Sequence, residues 1–261
     1  MADIFLELPD ELMRAIDRRA MAAGKGTEDL LREIIEASAP PTADLSAEPA
    51  SVTDEPIVQA AEIEKECRRL GYKLGWRFIT CPQANAARAK LLLVTLNPGG
   101  REIHEPSWSQ EEGSAYTVES WKGLPPGREG LQQQVQRMFA LVGVSEEEVF
   151  SAHYVPFHSP SWAELDRKAE AEAFAKKLWI WLQPSLTFER IICIGKETGK
   201  PIASLFGAAL ECSLPVGWGA VTADRYRLPD GRSLIALPHL SRFGLFGRLQ
   251  GTHALQELFE L

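Results

Sequence analysis

Two polar side chains stand where apolar runs stop. In LLLVTLNPGG the stretch from Leu91 to Leu96 is continuously apolar or β-branched and ends at Asn97-Pro98-Gly99-Gly100. A short apolar run closed by turn residues has the pattern of a strand buried on both faces. Pro98 has no N–H to give a sheet, and the glycines permit the left-handed backbone of a tight turn. Asn97 is therefore expected at the carboxyl end of a buried parallel strand, the end at which open α/β sheets bind ligands. The same four residues serve equally as a plain glycine turn. A second run, Ser233 to Leu237, ends in the same way at Pro238-His239-Leu240-Ser241. A carboxamide presents a donor and an acceptor in one plane, and an imidazole exchanges a proton near neutral pH. Taken singly, a histidine after a strand is more often structural than catalytic.

Taken together, the two blocks resemble motifs of the uracil-DNA glycosylase superfamily. TLNPG is similar to the G-I-N-P-G first motif of its mismatch-type branch, and HLSRF to its H-P-S-P-L second motif. SAHYVPFHSP, Ser151 to Pro160, resembles the central T-N-x-V-P-F block, and RIICIGKETG, Arg190 to Gly199, the strand that precedes the last hairpin. The four blocks occur in the family's order and span roughly residues 60 to 261.

This resemblance implies an α/β domain, a parallel sheet flanked by helices, that hydrolyses the N-glycosidic bond of a uracil, damaged or modified base flipped out of DNA. It assigns roles by position. Asn97 would orient the attacking water through its amide oxygen, a weaker activator than a carboxylate. His239 would donate a hydrogen bond to the departing base. Ser241 would touch a phosphate, Phe243 would wedge into the stack, and Arg242 and Arg248 would supply charge to the backbone. Tyr116 or Trp121 would stack on the base. Three positions depart from the pattern. Thr95 stands where the family prefers glycine, Leu240 replaces the proline of H-P-S, and Ala152-His153 replaces Thr-Asn. His153 would then face the base edge, where one amide normally reads a donor and an acceptor together. A base other than uracil, another reading residue, or lost activity would each follow.

The N-terminus has a different character. Ile4, Leu6 and Leu8 alternate with Asp3, Phe5 and Glu7, and Pro9-Asp10-Glu11 opens a helical pattern. Gly24 and Thr27 separate it from a second one. One strand and two helices of this size cannot bury a core alone. Residues 1–38 resemble the ribbon-helix-helix family, a β-α-α unit that pairs as an intertwined dimer. A homodimer through this head is expected. Base reading is less so, because carboxylates occupy the outward strand positions. Residues 39–56 have the composition of a flexible linker, and residues 57–261 form the glycosylase-like domain.

Composition sets bounds on these expectations. The 261 residues carry a net charge of −8, and the first 55 hold thirteen acidic against five basic residues, so the remainder is neutral. A DNA-binding surface must therefore be local. No apolar run is long enough to span a bilayer, so no membrane association is expected. The cysteines Cys67, Cys81, Cys193 and Cys212 include no close pair, which points to a reducing cytoplasm with no metal and no cofactor. Lys196 and Lys200 in GKETGK lack the spacing and the Ser/Thr of a nucleoside-triphosphate loop. Cys193, Trp179, Trp181, Phe206 and Phe246 are expected in the core, and His104, His158 and His253 at the surface or in loops. A long loop is expected over 99–128 and a capping box at Ser161–Glu164. The alternative function is a non-catalytic DNA- or partner-binding regulator on an inactive glycosylase fold.

Overall fold

The computed structural model describes residues 25–27 and 56–261. The expected ribbon-helix-helix head and linker lie almost entirely outside the described residues. Residues 56–261 fall within one compact unit, Asp54–Leu261, which is a mixed α/β structure. Its strands are β1 Leu91–Thr95, β2 Val149–His153, β3 Arg190–Ile194, β4 Ala209–Trp218, β5 Val221–Arg227 and β6 Ser233–Leu237. They form a six-stranded sheet in the order β2-β1-β3-β6-β5-β4. The first four are parallel; β5 and β4 are antiparallel additions at one edge.

The helices are α1 Pro56–Leu70, α2 Ala115–Val118, α3 Gly130–Val142, α4 Lys168–Leu182, α5 Lys196–Leu205 and α6 Leu249–Phe259. They cover both faces of the sheet, which explains why β1, β3 and β6 are apolar at every position but one each, Thr95, Arg190 and Ser233. Leu92, Val94, Phe150, Ile191 and Cys193 pack with Ile63 of α1, Trp179 of α4 and Ile202 of α5. Leu91, Leu93, Val149, Ile192 and Ile235 pack with Val135 and Met138 of α3 and Leu258 of α6. No helix among the described residues is long and apolar enough to cross a membrane.

Several sequence expectations are corrected. Helix α1 ends at Leu70 and β2 at His153, both earlier than their apolar patterns. The long loop over 99–128 contains the short helix α2. Ser161 and Glu164 pair through their own side chains at 3.0 Å and enclose one 3-10 turn. The long helix starts only at Lys168, after Arg167 in the left-handed conformation. Trp181 is not core. Trp179 is fully buried, and two residues along a helix is more than half a turn, so Trp181 is 45 % exposed. His158 lies in the interior, not at the surface. Strand β4 had no recognisable pattern, because its residues are mostly exposed or half-buried on an edge.

Gly199 sets how closely α5 lies on β6. A Cβ built there would stand 2.3 Å from the Cβ of Ala236. Alanine normally improves a helix interior by about 1 kcal/mol over glycine. Overpacking costs roughly 1–3 kcal/mol, and two Cβ atoms cannot rotate apart. Gly199→Ala is therefore expected to lose about 1–2 kcal/mol net, towards the upper end of that difference because the clash is between two fixed Cβ atoms, read as a lower urea midpoint with unchanged m-value.

Candidate active site at the carboxyl ends of the parallel strands

From β1 the chain crosses to β2 on one side, whereas β3 and β6 lie on the other. The carboxyl ends of β1 and β3 thus flank a topological switch point, where crevices form in such sheets. The register aligns these ends, with Thr95 opposite His153 on one side and Ile194 on the other, and Ile194 opposite Leu237. Asn97, Gly195 and His239 follow immediately. Asn97 and His239 leave strands two positions apart, roughly 10 Å at the usual interstrand spacing.

Asn97 is held by its amide nitrogen. Nδ2 donates to Phe157 O at 3.2 Å, Ser159 Oγ at 2.8 Å and Pro98 O at 3.0 Å. Ser159 in turn donates to Ser161 O at 2.9 Å, so its oxygen is left to accept. Flipping the amide would set its oxygen against two carbonyl oxygens, which fixes its orientation. Oδ1 accepts no hydrogen bond among the described residues. The turn itself is stitched to the central block, with Ser159 N donating to Pro98 O and Gly100 N to Ser159 O, both at 3.2 Å.

His239 is exposed, and its tautomer is set locally. The Ser241 backbone N–H donates to Nδ1 at 3.3 Å, and Ser241 Oγ lies 2.7 Å from the same nitrogen. Nδ1 is therefore an acceptor and the proton sits on Nε2. Desolvation of the ring, then the Arg242 cation, lowers the His239 pKa and keeps the ring neutral, against a smaller opposing pull from Glu197. Gly195, with φ of +96°, lies between. A Cβ there would stand 3.9 Å from His239 Cδ2 and 3.7 Å from Glu197 Oε2. Glu197, which carried no motif, thus places a carboxylate beside the same turn.

His153 is tied to Thr95, with Nδ1 2.6 Å from Thr95 Oγ1. Burial, then the Arg77 cation, then His158, hold its pKa well below 6.5. Tyr116 is buried at 3 % exposure and sits edge-on to Trp121, with centroids 5.6 Å apart. Its hydroxyl pKa is raised by burial, and the Thr95 side chain offsets this slightly. Trp121 is half-buried and donates from Nε1 to Glu119. Tyr116 therefore offers no free ring face to a stacked base. Glu119 also forms a two-pronged ion pair with Arg77. Behind the Asn97 anchor, His158 stacks on His104 with centroids 4.4 Å apart, and its Nδ1 is buried without a partner.

The other proposed contacts lie on the loop after β6. Arg242 is exposed with no ion-pair partner among the described residues. Phe243 is half-buried and edge-on to Trp218, with centroids 6.1 Å apart, and Arg248 lies 4.0 Å over the Trp218 ring. Asn97, His153 and His239 lie at the same end of the sheet, Asn97 after β1, His153 closing β2 and His239 after β6. Ser159, Arg77 and Trp218 were missed in the sequence; Ser159 lies inside a quoted block, while the others carried no signal.

The buried histidines make stability pH-dependent. Burial, then His104, then Arg77, bring His158 from 6.5 down to about 3. The unfolded chain binds a proton below pH 6.5 that the folded ring refuses, so stability falls as pH drops from about 7 towards 3. At pH 5 this amounts to about 2 kcal/mol per fully shifted histidine. His158→Phe is expected to remove about one proton from the uptake on unfolding, read from urea midpoints at pH 7 and pH 5.

Neither a protein-family model nor the sequence of a curated protein matches the chain.

Proposed function

We propose that residues 57–261 form a uracil-DNA glycosylase-like domain that hydrolyses the N-glycosidic bond of an unstacked damaged or modified base, borne on a dimeric ribbon-helix-helix head of residues 1–38. The observation that carries this is the pinned Asn97 amide: its Oδ1 accepts no hydrogen bond among the described residues, and His239, two strands away at the same end of the sheet, keeps its proton on Nε2. An acceptor for water on one side and a donor for a leaving base on the other are the two groups that the bond cleavage asks for.

In this mechanism the C1′–N bond breaks with its electron pair passing to the base. His239 Nε2–H hydrogen-bonds the base oxygen on which that charge collects. A neutral donor suits this role, since it is already in place and needs no proton transfer. Water oriented on Asn97 Oδ1 forms the new bond to C1′, and its proton leaves to the base or to solvent. An amide does not take that proton, so slow turnover is expected. His153 has one ring nitrogen committed to Thr95, leaving Nε2 to read a single group of a base edge. That favours a damaged or modified base over uracil, which asks for a paired donor and acceptor.

The test is strand cleavage. Oligonucleotides carrying uracil, hypoxanthine, mismatched thymine or modified pyrimidines are incubated with the protein and treated with hot alkali. Cleavage is expected for at least one of them, reduced by about 10²–10³ in His239→Ala and comparably in Asn97→Ala, with unchanged circular dichroism. Ser159→Ala, which removes the shortest of the three contacts that hold the Asn97 amide, is expected to lower kcat about tenfold with little change in KM. A second reading draws on the buried Tyr116 ring, which leaves the crevice without a stacking face there. In that reading the domain binds nucleic acid without cleaving it, and no oligonucleotide in the panel would be cut by a folded protein.

A further inference from the structure

Beyond His239, the same loop leads to a second concave site that no motif marks. Between α3 and the 246–255 segment lies a half-open cavity of about 340 Å³. This is at the lower end of the ~300–1,000 Å³ typical of small-ligand sites. Its floor is apolar: Ala140, Leu141, Phe246 and Leu255. Two guanidinium groups, Arg137 and Arg248, line it as well, and no carboxylate does.

The site is built. Gln134 is buried and clamps the backbone of Phe246, accepting from its N–H at 2.8 Å and donating to its carbonyl at 3.0 Å. Gly247 has a left-handed backbone, at φ of +87°, which favours glycine there. The cations are available. Arg137 makes one long contact, 3.4 Å to Phe246 O, and Arg248 stacks on Trp218 at 4.0 Å. Neither has a carboxylate within ion-pair distance among the described residues. Two guanidiniums without an ion pair among the described residues, beside an apolar floor, ask for an anion attached to a flat apolar body.

We propose that this cavity binds a nucleotide unit, with the base on the apolar floor and the phosphate between Arg137 and Arg248. The unit would be a residue of a single strand or a free mononucleotide, which share this chemistry. A single strand is the form that fits the surroundings. Phe243 is held edge-on against Trp218, poorly placed to wedge into a duplex, whereas an arginine-backed indole suits an unpaired base. The exposed Arg242 continues the charge towards the crevice. This inference does not depend on cleavage at Asn97.

The test uses the full chain and two probes. Binding of a fluorescent oligothymidylate 12-mer is followed by anisotropy over a series of salt concentrations, and dTMP is titrated calorimetrically. In Arg137→Ala/Arg248→Ala the 12-mer is expected to bind at least tenfold more weakly. The slope of log K against log salt is expected to fall by about 0.7, one phosphate contact's worth on single strands. Loss of dTMP heat in the double variant with unchanged 12-mer affinity would assign the site to free nucleotides. Unchanged affinity for both probes would overturn the proposal, as would octanoate binding the wild type where dTMP does not. Both arginines reach solvent, so the double variant should fold, and a matching thermal melt verifies it.

Discussion

Everything at the crevice depends on the hydrogen-bonded register of β1 between β2 and β3. Both pairings are parallel and start from Leu91, so the three strands end level. One slip by a residue would turn every side chain of β1 to the opposite face. The two apolar layers forbid that, because Leu91 and Leu93 belong to one core and Leu92 and Val94 to the other. The packing of some twenty side chains thus fixes where one amide stands. Beyond the sheet the register persists. Tyr154 N donates to Thr95 O and Val155 N to Leu96 O, carrying the alignment out to Asn97 and its anchor at Phe157 and Ser159.

Charge is managed around this frame by a half-buried cation. Arg77 is bound by Glu119 through both terminal nitrogens, while its Nε has no partner. It contributes, after burial, to holding His153 and His158 neutral. Both buried histidines are thereby held in their neutral form, and the loss of stability at low pH is the counterpart of that neutrality.

Much was legible in the sequence. Apolar runs closed by Asn-Pro-Gly-Gly and Pro-His marked β1, one residue longer than the strand, and β6 with its own boundaries, because continuous burial on both faces leaves an uninterrupted apolar run. The strand β4 was not marked, since an edge strand with mixed exposure has no period to detect. Trp181 failed for a related reason: hydrophobicity names a residue that prefers burial, but the helix phase that decides it comes from packing against the sheet.

The site divides along the same line. The sequence by itself determined which residues could act, Asn97 and His239, and that they follow strands, because local turn chemistry is written in adjacent residues. Only the tertiary structure decided that Thr95 and His153, two separate departures from the family pattern, are one hydrogen-bonded pair across β1 and β2. It also decided that Tyr116 turns inward, that the Asn97 amide is pinned by Ser159, and that Arg137 and Arg248 share a cavity. These are contacts between residues tens of positions apart. Their geometry comes from sheet order and layer packing, which no spacing within one stretch of chain encodes.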